Sequence, residues 1–229
     1  MFIVSPSIYS ADFLHLADQL DSLASISNLH LDIDDGNFVR GISFGMKIAE
    51  QIAARTTIPL DAHLEVLNPL EYIEPLLSAG IKQICAHLEQ LPYPHLFLSA
   101  VHQSGGLAGL SLNLKTPLGS LEPYAQDVDF VLLVSVEADH EGLPFRPSIL
   151  KKIREARRIL PKETRIWVDG GINLENLALV IEAGADAVVM GRAIFESSDP
   201  KLAWEYYQSL GECIHRKRER GACDDNLSQ

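Results

Sequence analysis

The segment His30-Leu31-Asp32-Ile33-Asp34-Asp35-Gly36 sets an imidazole and two carboxylates at alternate positions of an otherwise apolar run. Side chains two residues apart on a strand share a face, so His30, Asp32 and Asp34 converge on one point. Leu60-Asp61-Ala62-His63-Leu64-Glu65 repeats the alternation, and Trp167-Val168-Asp169-Gly170-Gly171 repeats it in part. Apolar strands seldom carry ionisable groups unless the groups are paired or hold a metal. A single histidine of this kind is more often a satisfied core residue than a ligand, but four such groups at matching strand ends reverse that balance. His30, Asp32, His63 and Asp169 supply two imidazoles and two carboxylates, a set suited to one divalent metal ion, whether zinc, iron, manganese or cobalt.

The elements that must position these groups follow from the hydrophobic pattern. Short apolar runs near residues 2–8, 28–33, 58–64, 82–88, 107–112, 129–136, 165–168 and 186–190 read as strands. Amphipathic stretches at 11–26, 45–55, 69–79, 147–159, 174–183 and 200–215 read as helices between them. Such alternation predicts βα units and a parallel sheet. About eight such pairs approach the length of a TIM barrel, roughly 250 residues. The expectation is one α/β domain, a (β/α)8 TIM barrel over residues 1–216, followed by a polar tail at 217–229 that frays. An open doubly wound sheet is the alternative. Both folds put polar residues at strand C-terminal ends, but only a barrel gathers distant strands around one mouth.

Bulk properties exclude several classes. A formal net charge of -12 argues against nucleic acid as the main partner, because neutralising phosphates needs an excess of lysine and arginine. The one basic run, His215-Arg216-Lys217-Arg218-Glu219-Arg220, reads as a solvated helix end or tail. No apolar stretch approaches the roughly 20 residues that span a bilayer, so no membrane partner is expected. The first residues lead into a strand pattern without a basic n-region or cleavage site, which predicts a cytoplasmic location. Cys85, Cys213 and Cys223 stand at irregular spacing and read as reduced thiols.

Taken together, Ser5-Pro6-Ser7-Ile8, Leu29-His30-Leu31-Asp32-Ile33 with Asp35-Gly36 and Phe38-Val39, Leu60-Asp61-Ala62-His63-Leu64 with Asn68-Pro69, and Val168-Asp169-Gly170-Gly171-Ile172-Asn173 resemble the motifs of the ribulose-phosphate 3-epimerase family. The similarity runs from about Ser5 to Phe195. It implies a metal-dependent TIM barrel that inverts C3 of a ketose phosphate, ribulose 5-phosphate or a related pentulose or hexulose phosphate, through an enediolate. It implies that His30, Asp32, His63 and Asp169 hold the metal and that Ser7 and His63 contact substrate. In one direction Asp32 is the base and Asp169 the acid, and homo-oligomers, dimers or larger, are expected. The chemistry suits the residues: epimerisation needs an acid and a base on opposite faces of the reacting carbon, and a cation stabilises the enediolate charge. The phosphate belongs after the last two strands, where Gly170, Gly171, Gly191 and Arg192 stand.

Several positions depart from the family pattern. The glycine-rich phosphate loop after the sixth strand is here Ser135-Val136-Glu137-Ala138-Asp139-His140-Glu141-Gly142-Leu143-Pro144-Phe145, in which only Gly142 and the trailing Phe145 and Pro147 fit. Asp139 and Glu141 would repel an anion unless turned away. Asp34, Glu65 and Val134 replace methionines that commonly line the reacting centre. The two carboxylates either sit beside the ligands and touch sugar hydroxyls or stand at the barrel rim in water. Arg192 replaces a small hydroxyl residue and either contacts phosphate or fills the anion site itself. Asn37 and Arg40-Gly41 are further changes. The chain therefore resembles a divergent branch, akin to the sugar-phosphate epimerases found beside sugar-uptake systems, with an altered substrate. A related decarboxylase would need lysine where Asp34 stands. The remaining alternative is a retired or repurposed homologue that binds a sugar phosphate or metal as a regulator.

Overall fold

The computed structural model describes residues 1–137 and 143–226. Its eight strands are β1 (Ile3–Pro6), β2 (Leu29–Asp34), β3 (Leu60–Glu65), β4 (Gln83–His87), β5 (Leu107–Leu112), β6 (Phe130–Val134), β7 (Arg165–Asp169) and β8 (Ala187–Met190). All pair in parallel, in the order β1-β8-β7-β6-β5-β4-β3-β2. Ser7, one residue beyond β1, forms a parallel bridge to His30 of β2 and joins the two ends of that order. The sheet is thus the expected (β/α)8 barrel. β6, Phe130-Val131-Leu132-Leu133-Val134, is buried at every position, as a strand covered on both faces must be.

Around the barrel lie α1 (Leu16–Ser22), α2 (Met46–Arg55), α3 (Ile73–Ser78), α4 (Pro94–Gln103), α5 (Ile149–Ile159), α6 (Leu177–Ala183), α7 (Arg192–Phe195) and α8 (Pro200–Asn226). Their apolar faces and the outward faces of the strands form the main core. Helix ends differ from the sequence expectation where polar side chains capture the backbone. The helix expected to start at 174 begins at Leu177, because Asn176 Oδ1 accepts the Asn173 N–H at 3.0 Å and closes a turn first. Between β5 and β6 the chain makes only the short 3-10 turns Leu118–Ser120 and Glu122–Tyr124.

The last helix continues past residue 216, into the stretch expected to fray. Arg218 reaches back to the barrel, donating to the carbonyls of Ile181 at 3.0 Å and Ala185 at 2.7 Å and pairing with Asp186 at 3.0 Å. A side chain with five donors in a planar fork is suited to tie several acceptors at once. Among the described residues no helix is long and apolar enough to cross a membrane.

The barrel interior has two tiers. Ile3, Cys85, Phe130, Leu132, Trp167, Ala187 and Val189 fill one with apolar side chains. Gly109 makes room for it, since a Cβ there would collide with the Phe130 ring. The other tier, toward the strand C-terminal ends, holds the ionisable groups. Beside it β1 has only a single bridge to β2, and α8 compensates: Gln208 Oε1 accepts the Val4 N–H at 2.9 Å and the Trp204 indole donates to the Val4 carbonyl at 2.9 Å. Replacing Gln208 with alanine would leave the buried Val4 N–H unsatisfied. The expected loss is about 1–3 kcal/mol, read as a lower urea midpoint at unchanged slope.

Candidate functional site

β2 and β3 run in register with His30 beside Asp61, Asp32 beside His63 and Asp34 beside Glu65. The pleat sends all of these side chains into the barrel, where every one is buried. Asp169, at the end of β7 across the barrel, completes the group. His30, Asp32, His63 and Asp169 each offer a donor atom, and these atoms lie within 4.8 Å of one another. The four residues predicted as ligands are therefore brought to one place.

Each donor is aimed by a neighbour. His30 Nδ1 is held by Asp61, which is itself bonded by the Asn28 amide and by the Ser5 hydroxyl at 3.3 Å. That leaves His30 Nε2 to bond Asp32 Oδ1 at 3.0 Å and to offer its lone pair to a cation that displaces the proton between them. The Ser7 hydroxyl donates to the other oxygen of Asp32 at 2.5 Å. His63 Nδ1 stands 3.1 Å from Asp32 Oδ1 and 4.0 Å from Asp169 Oδ2. Asp61, Asn28 and Ser5 were not among the predicted site residues. Asp61 carries a legible signal, because it alternates with His63 and Glu65 on one face of β3.

The two carboxylates predicted as acid and base have opposite tendencies as bare side chains. Burial alone would raise the Asp32 carboxyl, but the His30 and His63 imidazoles outweigh it and hold the group well below the usual carboxylate range. Burial raises Asp169 to about 8, and the charge of Asp32 adds to the effect. As bare side chains, Asp32 is pushed toward its charged form and Asp169 toward its neutral form. Environments that push two carboxyl groups apart in this way mark an acid and base pair.

A cavity of about 400 Å³ opens over the donors. Ser7, Asp32, Asp34, Glu65, Asp169, Gly170, Gly171, Gly191 and Arg192 all line it. Gly170 and Gly171 have φ of 105° and 64°, a conformation in which side chains are strained. At Gly191 a Cβ would collide with Ser10 Oγ. These turns therefore need glycine for close backbone approach, whatever binds above them. Gly142 and residues 138–141 lie outside the described residues.

Asp34 and Glu65 do not stand at a wet rim: their exposures are 6% and 8%. Burial, followed by the charge of Glu65, raises Asp34 to about 9, and Asp34 Oδ1 is buried without a hydrogen-bond partner. Among the described residues lining the cavity, Arg192 is the one cation.

The chain is similar over residues 3–195 to the model of the ribulose-phosphate 3 epimerase family. It is 38% identical to the ribulose-phosphate 3-epimerase of Bacillus subtilis, over 89% of this chain and 96% of that protein. It is 35% identical to the enzyme of the same name from Helicobacter pylori, over 90% and 97% of the two chains. Among solved structures, orotidine 5'-phosphate decarboxylase from Pyrococcus horikoshii superposes with a TM-score of 0.68 at 16% identity, covering 92% of this chain and 99% of that one, a likeness of fold alone. With two relatives matched along nearly their whole length and the family's polar strand ends meeting in one barrel mouth, the chain belongs to the ribulose-phosphate 3-epimerase family.

Proposed function

We propose that this chain is an isomerase that inverts C3 of a phosphorylated ketose by moving a proton between Asp32 and Asp169. The observation that carries the proposal is the meeting of the Asp32 and Asp169 carboxyl groups at one cavity, on strands from different sides of the barrel. Asp32 takes the proton next to the ketone, and Asp169 delivers one to the opposite face. The roles exchange in the reverse direction. Ser7 keeps Asp32 in place through its 2.5 Å hydrogen bond. Val134, Val136 and Ile172 give the same cavity an apolar wall.

His30, Asp32, His63 and Asp169 would hold the divalent cation, whose charge stabilises the enediolate oxygens when it is bound. The donor set fits: His30 Nε2 and His63 Nδ1 both point toward Asp32, and the mixed nitrogen and carboxylate chemistry suits zinc, iron, manganese or cobalt. The substrate phosphate fits beside Gly171, Gly191 and Arg192, whose guanidinium supplies a positive charge. No lysine lines the cavity among the described residues, so a decarboxylation that depends on lysine finds no support there.

Metal-loaded protein should incorporate solvent deuterium at C3 of ribulose 5-phosphate or of a related pentulose or hexulose phosphate, read by proton NMR. Asp32→Asn and Asp169→Asn should each slow exchange by about 100- to 10,000-fold, and exchange that survives either change removes that residue from the pair. Arg192→Ala should raise KM for the phosphorylated ketose while leaving kcat nearly unchanged. A fall in kcat with KM constant would place Arg192 outside phosphate binding. Asp61→Asn frees His30 to turn and should weaken cation binding by about 10- to 100-fold, measured by chelator competition.

A further inference from the structure

His63 shows its two ring nitrogens to two different groups. Nδ1 faces Asp32 and Asp169, as described, whereas Nε2 lies 2.9 Å from His87 Nε2 and 3.1 Å from Ser111 Oγ. His87 Nε2 in turn stands 3.2 Å from Glu65 Oε1 and 3.4 Å from Ser111 Oγ. All four side chains are buried, and the donor atoms of His63, Glu65 and His87 lie within 4.8 Å of one another. Ligands bound to a first-row divalent ion at about 2.0–2.2 Å stand roughly 3–3.5 Å apart. The separations of 3.1, 3.2 and 3.4 Å fall in that range, and the 2.9 Å between the two imidazole nitrogens lies just below it.

His87 is also held as metal-bound imidazoles are. Its Nδ1 lies 3.2 Å from Glu89 Oε2, and Glu89 is fixed by the Asn113 N–H at 2.9 Å and by the Thr116 hydroxyl. A carboxylate on the far nitrogen sets the ring's tautomer and turns the other lone pair inward. Asp61 does the same for His30 in the first group.

A cation on His63 Nδ1 would put the hydrogen bonding of this cluster in conflict. With a cation on His63 Nδ1, the ring's single proton sits on Nε2 and points at His87 Nε2. If His87 Nε2 accepts that proton, its lone pair also faces the Glu65 carboxylate. If His87 Nε2 carries a proton, two N–H groups meet across 2.9 Å. Like facing like in a buried place is costly. Beside it, Asp34 and Glu65 are direct cross-strand neighbours.

We propose that His63, Glu65 and His87, with the Ser111 hydroxyl beside them, form a second divalent-cation site that adjoins the first through the imidazole of His63. The ion takes the place of the Nε2 proton, which leaves to solvent, and His63 bridges the two sites as an imidazolate. Two nitrogens and one carboxylate favour zinc or cobalt over magnesium or calcium. The bridge, but not the His63, Glu65 and His87 set itself, rests on the first site being a metal site. Sequence alternation carries part of the signal, since His87 follows Cys85 and precedes Glu89 at spacing two along the end of β4.

The test is cobalt binding to chelator-stripped protein, with ions per chain counted by mass spectrometry and the visible spectrum followed during titration. The wild type should take up two ions per chain. Glu65→Met, which removes the carboxylate at similar length, and Glu65→Gln, which keeps the shape, should each hold one, with second-site affinity at least tenfold weaker. Asp169→Asn should lose the other ion and keep this one. Manganese-loaded wild type should show a spin-coupled resonance that Glu65→Met lacks, because the two ions stand about 6 Å apart, two metal–nitrogen bonds plus the ring. One ion per chain in the wild type that persists in Glu65→Met overturns the second site, as do two ions in all variants. One ion lost in Glu65→Met but kept in Asp169→Asn upholds this site and overturns the first. Thermal melting of each variant separates loss of a ligand from loss of the fold.

Discussion

The ionisable groups in the upper tier of the barrel can be charged only in one another's company. Asp61 engages His30, His30 faces Asp32, and Asp32 faces His63, so carboxylate and imidazole alternate across two register positions of two adjacent strands. Each group is buried, and each would be costly there alone. Removing one member strips its neighbours of their partner, so the chain behaves as a unit. The parallel register of β2 and β3 makes this possible: it sets His30 opposite Asp61 and Asp32 opposite His63, and a slip of one residue would turn all of them into the helix layer.

The rest of the fold serves that register. The apolar tier beneath, with Trp167 against Phe130, fills the interior that supports it, and the α8 side chains Trp204 and Gln208 bind the backbone of β1 where it is least paired. β1 then delivers Ser7 to Asp32. A helix at the far end of the chain thus bears on the position of a candidate proton-transfer group near its beginning.

The barrel was legible because alternation of apolar runs and amphipathic stretches is a long-range pattern. The four donors were legible because ionisable residues at period two on an apolar strand share one buried face, where they must pair with one another or hold a cation. Helix ends were less so: Asn176 and Arg218 set them through contacts that no local propensity encodes. Asp61 and His87 went unselected for a different reason. Each supports another side chain across a strand boundary, and that relation depends on register, which a single strand's sequence does not contain. Asp34 and Glu65 were read as carboxylates with two possible places, wet or dry. The dry outcome follows from the cavity walls contributed by β6, β7 and β8, elements distant in the sequence.

The dry placement bears on what the cavity can hold. Asp34, Glu65, Glu137 and Glu196 line it together with Asp32 and Asp169, and Arg192 is the one cation among the described lining residues. An anionic sugar phosphate entering such a cavity is opposed by every carboxylate that stays charged. Raising Asp34 to about 9 removes one of those charges at neutral pH, and cations on the imidazole and carboxylate donors would offset others. By linkage, a cation that eases substrate entry must itself be bound more tightly when substrate is present. An acidic cavity of this kind therefore makes occupancy by metal and occupancy by substrate mutually dependent, more so than one lined by methionines.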